Sequence, residues 1–156
     1  MSKIIDSSAK LISSVFFTGY IPITSGTFGS LIIVVLFYIF PGFFVTLNLA
    51  VLLLFLVIIG IWSATVCEKF WGIDSKKVVI DEVAGMVLTI MFLPLNYKIL
   101  WTGFFLFRIF DIFKPQPAKA AERLPAGWGV MTDDIVAGIY SNIVLQIIVF
   151  TTPWLK

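Results

Sequence analysis

Long apolar runs alternate with short breaks of glycine, proline and polar residues along the chain. Residues 30–40 form an apolar run that continues back towards Pro22 and stops at Pro41-Gly42. Residues 43–66 form a second, long enough to cross about 30 Å of hydrocarbon at roughly 1.5 Å per helical residue. Residues 83–93 make a shorter third run ending at Pro94, and residues 99–113 follow the polar Asn96-Tyr97-Lys98, a pattern that predicts a tight helical hairpin. The last run spans residues 135–150. Residues 1–18 are broken by Lys3, Asp6 and Lys10 and read as an N-terminal interfacial segment, with no cleaved signal peptide expected. The expectation is one all-α, membrane-embedded domain over residues 1–156, a compact bundle of about five membrane helices, some short or re-entrant.

Composition supports that class. With 60% hydrophobic and only 13% charged residues, the chain has more apolar surface than one small soluble core buries. A net charge of +2, without a dense basic run, gives no nucleic-acid partner. The single cysteine, Cys67, excludes an internal disulfide and a paired-cysteine metal site. Basic residues then orient the bundle. Lys3 and Lys10, then Lys69, Lys76 and Lys77, then Lys114, Lys119 and Arg123 fall on one side of five spans, leaving Lys98 and Lys156 on the other. The richer side is expected to be cytoplasmic.

Against this background the carboxylates carry the chemistry. Asp81 and Glu82 open the third apolar run, Asp111 closes the fourth, and Asp133 and Asp134 open the last. An ionisable group near hydrocarbon costs roughly 2.5–3.5 kcal/mol on insertion scales and usually persists because it binds something. The predicted topology brings all five to the cytoplasmic helix ends. With no histidine in the chain, such a set suits a hard cation such as Mg²⁺. Plain helix capping is the competing reading for Asp81, Glu82, Asp133 and Asp134, and an ion pair with Arg108 or Lys114 is that for Asp111. Asp134 also begins a polar stripe with Gly138, Asn142 and Gln146 that should face protein.

The stretch from Gly19 to Ser30 carries Gly26, Thr27, Gly29 and Ser30 just ahead of the first apolar run. A glycine-rich helix entrance can cradle phosphate, although the Gly-Lys-Ser/Thr ending of a nucleotide loop is missing. Several familiar chemistries are excluded. A cysteine phosphatase needs arginine six positions after its nucleophile, where Cys67 has Ile73; there is no imidazole nucleophile and no Asp-x-Asp loop.

Four ordered blocks now stand out: Pro22-x-x-x-Gly26-Thr-x-Gly29-Ser; Asp81-Glu-x-x-Gly85-Met; Phe107-Arg-x-x-Asp111-x-x-Lys-Pro-x-Pro117; and Leu124-Pro-x-Gly-Trp-Gly-Val-Met-x-Asp133-Asp-x-x-Ala-Gly138. Together they resemble the phosphatidylglycerophosphatase A family over about residues 19–140. The resemblance implies a multi-pass bacterial inner-membrane phosphatase that uses Mg²⁺ to convert phosphatidylglycerol phosphate to phosphatidylglycerol. It places the motif acids on Asp81, Glu82, Asp111, Asp133 and Asp134, and the basic positions on Arg108 and Lys114. Ser25, Ile80, Gln116 and Ala126 depart from the family pattern, all at non-ionisable positions.

Residues and resemblance agree on mechanism: the acids hold one or two Mg²⁺ and activate water, while Arg108 and Lys114 counter lipid phosphate charge; one of the carboxylates acting instead as base or nucleophile is an alternative that the sequence leaves open. The alternative from another class is a small cation transporter or channel lined by the same acids.

Overall fold

The computed structural model describes residues 2–22, 24–73 and 75–153, so Lys156, used above for orientation, lies outside it. Among these residues seven α-helices follow one another: α1 (Ser2–Ser13), α2 (Ser25–Ile39), α3 (Thr46–Trp71), α4 (Ile80–Thr89), α5 (Tyr97–Phe113), α6 (Ala118–Ala121) and α7 (Gly127–Thr151). No strand occurs among the described residues.

Local signals explain several helix ends. The α3 run of leucine, isoleucine and valine stops at Gly72, whose φ of +82° is cheap only for glycine. Asn96 starts α5 by accepting from the N–H groups of Lys98 and Ile99 at 2.9 and 3.0 Å. Proline at position 115 prevents α5 from continuing past Lys114.

Two expectations are corrected. The last helix begins at Gly127, not near residue 135. Gly127 and Gly129 resemble loop residues in sequence, but here they let the first turn of α7 approach its neighbours: a Cβ on Gly127 would overlap the Ile61 carbonyl of α3, and one on Gly129 would lie 2.6 Å from the Leu124 carbonyl oxygen. Asp133 and Asp134 therefore sit in the second turn of α7, beyond the reach of an N-cap. Secondly, the glycine-rich stretch is not all loop, since Ser25 to Ser30 form the first turns of α2. Residues 2–13 of the N-terminal segment are helical, and α1 lies along α3.

Helix α4 is the centre of the molecule. It packs against α2, α3, α5 and α7, and eight of its residues are buried, Asp81 among them. Ten residues long, it measures about 15 Å, half the hydrocarbon thickness. Between apolar helices in lipid, close packing replaces the hydrophobic effect as the cohesive force, and small residues permit it. Gly85 of α4 meets Gly138 of α7, where an added Cβ would lie 2.7 Å from the Gly85 carbonyl oxygen. Gly60 of α3 accommodates Met131 and Gly103 of α5 accommodates Leu145, both from α7. Asn142 donates to the carbonyls of Thr89 and Met91, both at 2.9 Å, satisfying the end of α4. The polar stripe on α7 thus faces α4 through Asp134, Gly138 and Asn142, all buried, while Gln146 is exposed and donates back to Asn142 at 2.7 Å.

The outer surface is apolar. Leu47, Val51, Leu54, Phe55 and Ile58 of α3, Phe105, Ile109 and Ile112 of α5, and Ile143, Ile147 and Phe150 of α7 all point outward. So broad an exposed apolar surface marks contact with a membrane. Helices α3 and α7, of 26 and 25 residues, are long and apolar enough to cross one. Less than half of either apolar stretch is buried, unlike a soluble core helix.

Candidate active site

Helices α4 and α7 cross at the Gly85–Gly138 contact, one helical turn from Asp81 on α4 and from Asp134 on α7. That crossing brings together Asp81, Glu82 and Asp134, each offering an oxygen within 4.8 Å of the others. The three groups are short of partners. Asp81 Oδ1, Glu82 Oε2 and Asp134 Oδ2 are buried without a hydrogen bond. At such a separation two carboxylates repel by about 3–4 kcal/mol at an effective dielectric of 20, so the arrangement calls for a cation between them.

Asp111 and Asp133 differ in having counter-ions. Arg108 Nη1 lies 2.8 Å from Asp111 Oδ2 on the same face of α5, so the expected ion pair forms with Arg108. Lys114 instead reaches across to Asp133 Oδ2 and Glu122 Oε1, both at 2.6 Å. Burial opposes its charge, but the hydrogen bonds to Asp133 and Glu122 outweigh burial and hold Lys114 well above the usual lysine range. Asp133 Oδ1 also accepts from the Asp134 N–H at 3.0 Å, which orients the neighbouring pair. All five acids line one cavity of about 210 Å³, together with Lys76 and Lys114.

A second cavity of about 860 Å³ adjoins it and shares Lys76, Glu82, Asp111 and Lys114. Gly26, Thr27 and Arg108 line this larger space, whereas Gly29 and Ser30 do not. Gly29 is taken up by packing on Val79 and Glu82. Ser30, fully buried, donates to the Gly26 carbonyl at 3.0 Å and accepts from Arg108 at 3.4 Å. The Thr27 N–H is bonded to the Thr24 carbonyl at 2.9 Å, so the contribution of Thr27 to an anion would come from its hydroxyl. Gly26 is required for a different reason from phosphate binding: a Cβ there would overlap the Glu82 carboxylate and approach Arg108 to 3.1 Å. Neither α4 acid is the N-cap, which is Val79 and carries no side-chain bond; both stand in the first turn, where the helix dipole also favours a carboxylate.

Sequence reading missed two contributors. Glu122 completes the Lys114 bridge, and the loop carrying Lys76 covers the site, tied down where Ser25 Oγ donates to the Lys76 carbonyl at 2.7 Å. The only local signal for Lys76 was its position five residues before Asp81. Cys67 is a buried thiol on α3, as expected of a packing residue.

The sequence profile of the family described as Phosphatidylglycerophosphatase A matches residues 11–149. A Bacteroides thetaiotaomicron protein described as a candidate phosphatidylinositol-3-phosphatase is 36% identical over 88% of this chain and 91% of its own. The phosphatidylglycerophosphatase A of Escherichia coli K12 is 37% identical over 85% of the chain and 78% of its own, and that of Haemophilus influenzae 33% identical over 83% and 82%. No solved structure matches the chain. The acid-lined cleft, the four ordered blocks and a match spanning nearly the whole sequence have one origin: the chain belongs to the phosphatidylglycerophosphatase A family and is a phosphatase.

Proposed function

We propose that the protein hydrolyses the terminal phosphomonoester of phosphatidylglycerol phosphate, releasing phosphatidylglycerol and inorganic phosphate, in an Mg²⁺-dependent reaction at the cytoplasmic face of the bacterial inner membrane. The observation that carries this reading is the convergence of buried Asp81 and Asp134 with half-buried Glu82, each with a buried, unpartnered carboxylate oxygen. The donor set is all oxygen, without thiolate or imidazole, and fits a hard divalent ion. Asp81, Glu82 and Asp134 would hold Mg²⁺, which when bound supplies charge for phosphate oxygens and acidifies a water. Asp111 and Asp133 line the same cavity and are placed to help hold the ion or to accept the proton of the attacking water. Arg108 and Lys114, with the first turn of α2 at Gly26 and Thr27, offset the charge of the substrate phosphates.

Family membership favours phosphatidylglycerol phosphate. Phosphatidylinositol 3-phosphate, the substrate implied by the Bacteroides relative's description, shares its chemistry: an outer monoester on a polyol and an inner diester to the lipid. The test is phosphate release by purified protein from each lipid in detergent, with EDTA and with Mg²⁺. Turnover of phosphatidylglycerol phosphate is expected to vanish in EDTA and return with Mg²⁺. Full turnover after exhaustive chelation would remove the metal; hydrolysis of the inositide alone would reassign the substrate. A cation pathway is not favoured, because the acids gather at one end of the bundle.

The membrane reading is that of a multi-pass bundle in which α2, α3, α5 and α7 face lipid and α4 is enclosed. Aromatic groups support two interfaces. Tyr20 packs edge-on to Trp71 beneath Lys77 near the site, and Trp101 donates to Tyr38 at 3.2 Å towards the other end of α5. From Trp101 to Lys114 is about 20 Å along a helix. In a Cys67→Ser background, single cysteines at the exposed positions Ile73 and Ala120 should react with an impermeant maleimide only from the cytoplasm, and one at exposed Tyr97 only from outside. Outside labelling of Ile73→Cys or Ala120→Cys would overturn the orientation.

A further inference from the structure

The two adjoining cavities have opposite electrical character. The smaller is lined by five carboxylates against two ammonium groups, Lys76 and Lys114. The larger has four cations, Lys76, Lys77, Arg108 and Lys114, against Glu82 and Asp111. An unaccompanied phosphate would be repelled by the first and attracted by the second. The larger space, about 860 Å³ against about 210 Å³, also exceeds what one phosphate group needs.

Among the cations, Lys76 is distinctive. Arg108 pairs with Asp111 through Nη1, although its buried Nε has no partner among the described residues, and Lys114 pairs with Asp133 and Glu122. The Lys77 ammonium lies over the Tyr20 and Trp71 rings, at 5.3 and 5.9 Å. Lys76 is exposed and borders both cavities. Its backbone is fixed by the Ser25 hydroxyl while, among the described residues, its ammonium makes none of the ion pairs or ring contacts that hold the other three.

We propose that the larger cavity is a second subsite, for the inner phosphodiester of a glycerolipid that also carries an outer phosphomonoester, and that Lys76 is its specificity-determining residue. The inference rests on the monoesterase reading above and extends it to substrate choice. The acid-lined cavity takes the group to be hydrolysed, and Lys76, at the boundary, pairs with the phosphate that stays on the lipid. A lipid with a monoester alone would leave this cation unpaired, and hydrogen bonds to charged groups discriminate more strongly than apolar fit.

The experiment uses full-length wild type and the Lys76→Ala, Lys76→Gln and Lys76→Arg variants with phosphatidylglycerol phosphate in mixed micelles. Two inhibitors separate the subsites: phosphatidylglycerol, which has only the diester, and inorganic phosphate. Lys76→Ala and Lys76→Gln are expected to raise KM about tenfold with kcat within about twofold, and to weaken phosphatidylglycerol inhibition about tenfold, as loss of one charged hydrogen bond implies. Inhibition by inorganic phosphate should stay unchanged, and Lys76→Arg should restore wild-type KM. An active wild type whose KM and phosphatidylglycerol inhibition are unaltered in Lys76→Ala overturns the proposal. So does equal weakening by both inhibitors, or a fall in kcat at constant KM. A wild type inactive on phosphatidylglycerol phosphate instead removes the monoesterase reading itself, a distinct result.

Discussion

Asp81→Asn and Asp134→Asn are each expected to lose at least about a hundredfold in turnover, equivalent to about 2.7 kcal/mol of transition-state stabilisation, while melting no lower than wild type in EDTA. The two halves of that result have one cause. Both side chains are buried, and each leaves an oxygen unpartnered beside two other carboxylates. In the absence of metal an amide keeps nearly the same shape and removes one repelling charge, so the fold does not suffer. A bound Mg²⁺ loses an anionic ligand, so activity does. Mg²⁺ should raise the melting temperature of wild type more than that of either variant, because a ligand selective for the folded state stabilises it by mass action. If these acids only supported the helices, the signs would reverse: stability would fall and turnover would survive. Near-normal turnover in both variants, with equal Mg²⁺ stabilisation of all three proteins, would refute their role as ligands.

Gly138→Ala should be nearly as damaging from a position that carries no chemistry. Its new methyl would lie 2.7 Å from the Gly85 carbonyl oxygen, and backbone cannot rotate aside as a side-chain end can. Helices α4 and α7 must move apart at the point from which Asp81, Glu82 and Asp134 project. Overpacking of this kind costs about 1–3 kcal/mol, and an ångström of misplacement at a catalytic group costs about a hundredfold. We expect a lower melting temperature together with at least a roughly tenfold loss of turnover. Gly42→Ala is the control, because nothing lies within 4 Å of a Cβ there. Equal stability and activity of the two variants would show that the crossing does not set the site.

Much was legible before any coordinates. The apolar runs became α2, α3, α5 and α7, because the tendency of a long leucine- and isoleucine-rich segment to form a helix is local. The acids were legible as a candidate site, since a carboxylate beside apolar sequence is costly wherever the chain goes. Ion pairing of Asp111 with Arg108 was also readable, being set by three-residue helical spacing.

What the sequence determined by itself was therefore the inventory: helical segments, an apolar exterior, five acids, and blocks specific enough to identify a family. Tertiary structure alone decided the selection among them. That Asp81, Glu82 and Asp134 meet, while Asp133 is bridged by Lys114 to Glu122, depends on where α4 crosses α7 and how Lys114 leaves α5. Close packing on α3 took the loop-like Gly127 into the first turn of α7, and contacts with α2, α3, α5 and α7 enclosed the ten-residue α4 that a hydropathy pattern counts as a span. The reason is the range of the forces. Helix propensity and hydrophobicity act within a few residues of sequence, but the separation of two charges on different helices is fixed by contacts between backbones, here Gly85 against Gly138, that are 53 positions apart in the chain.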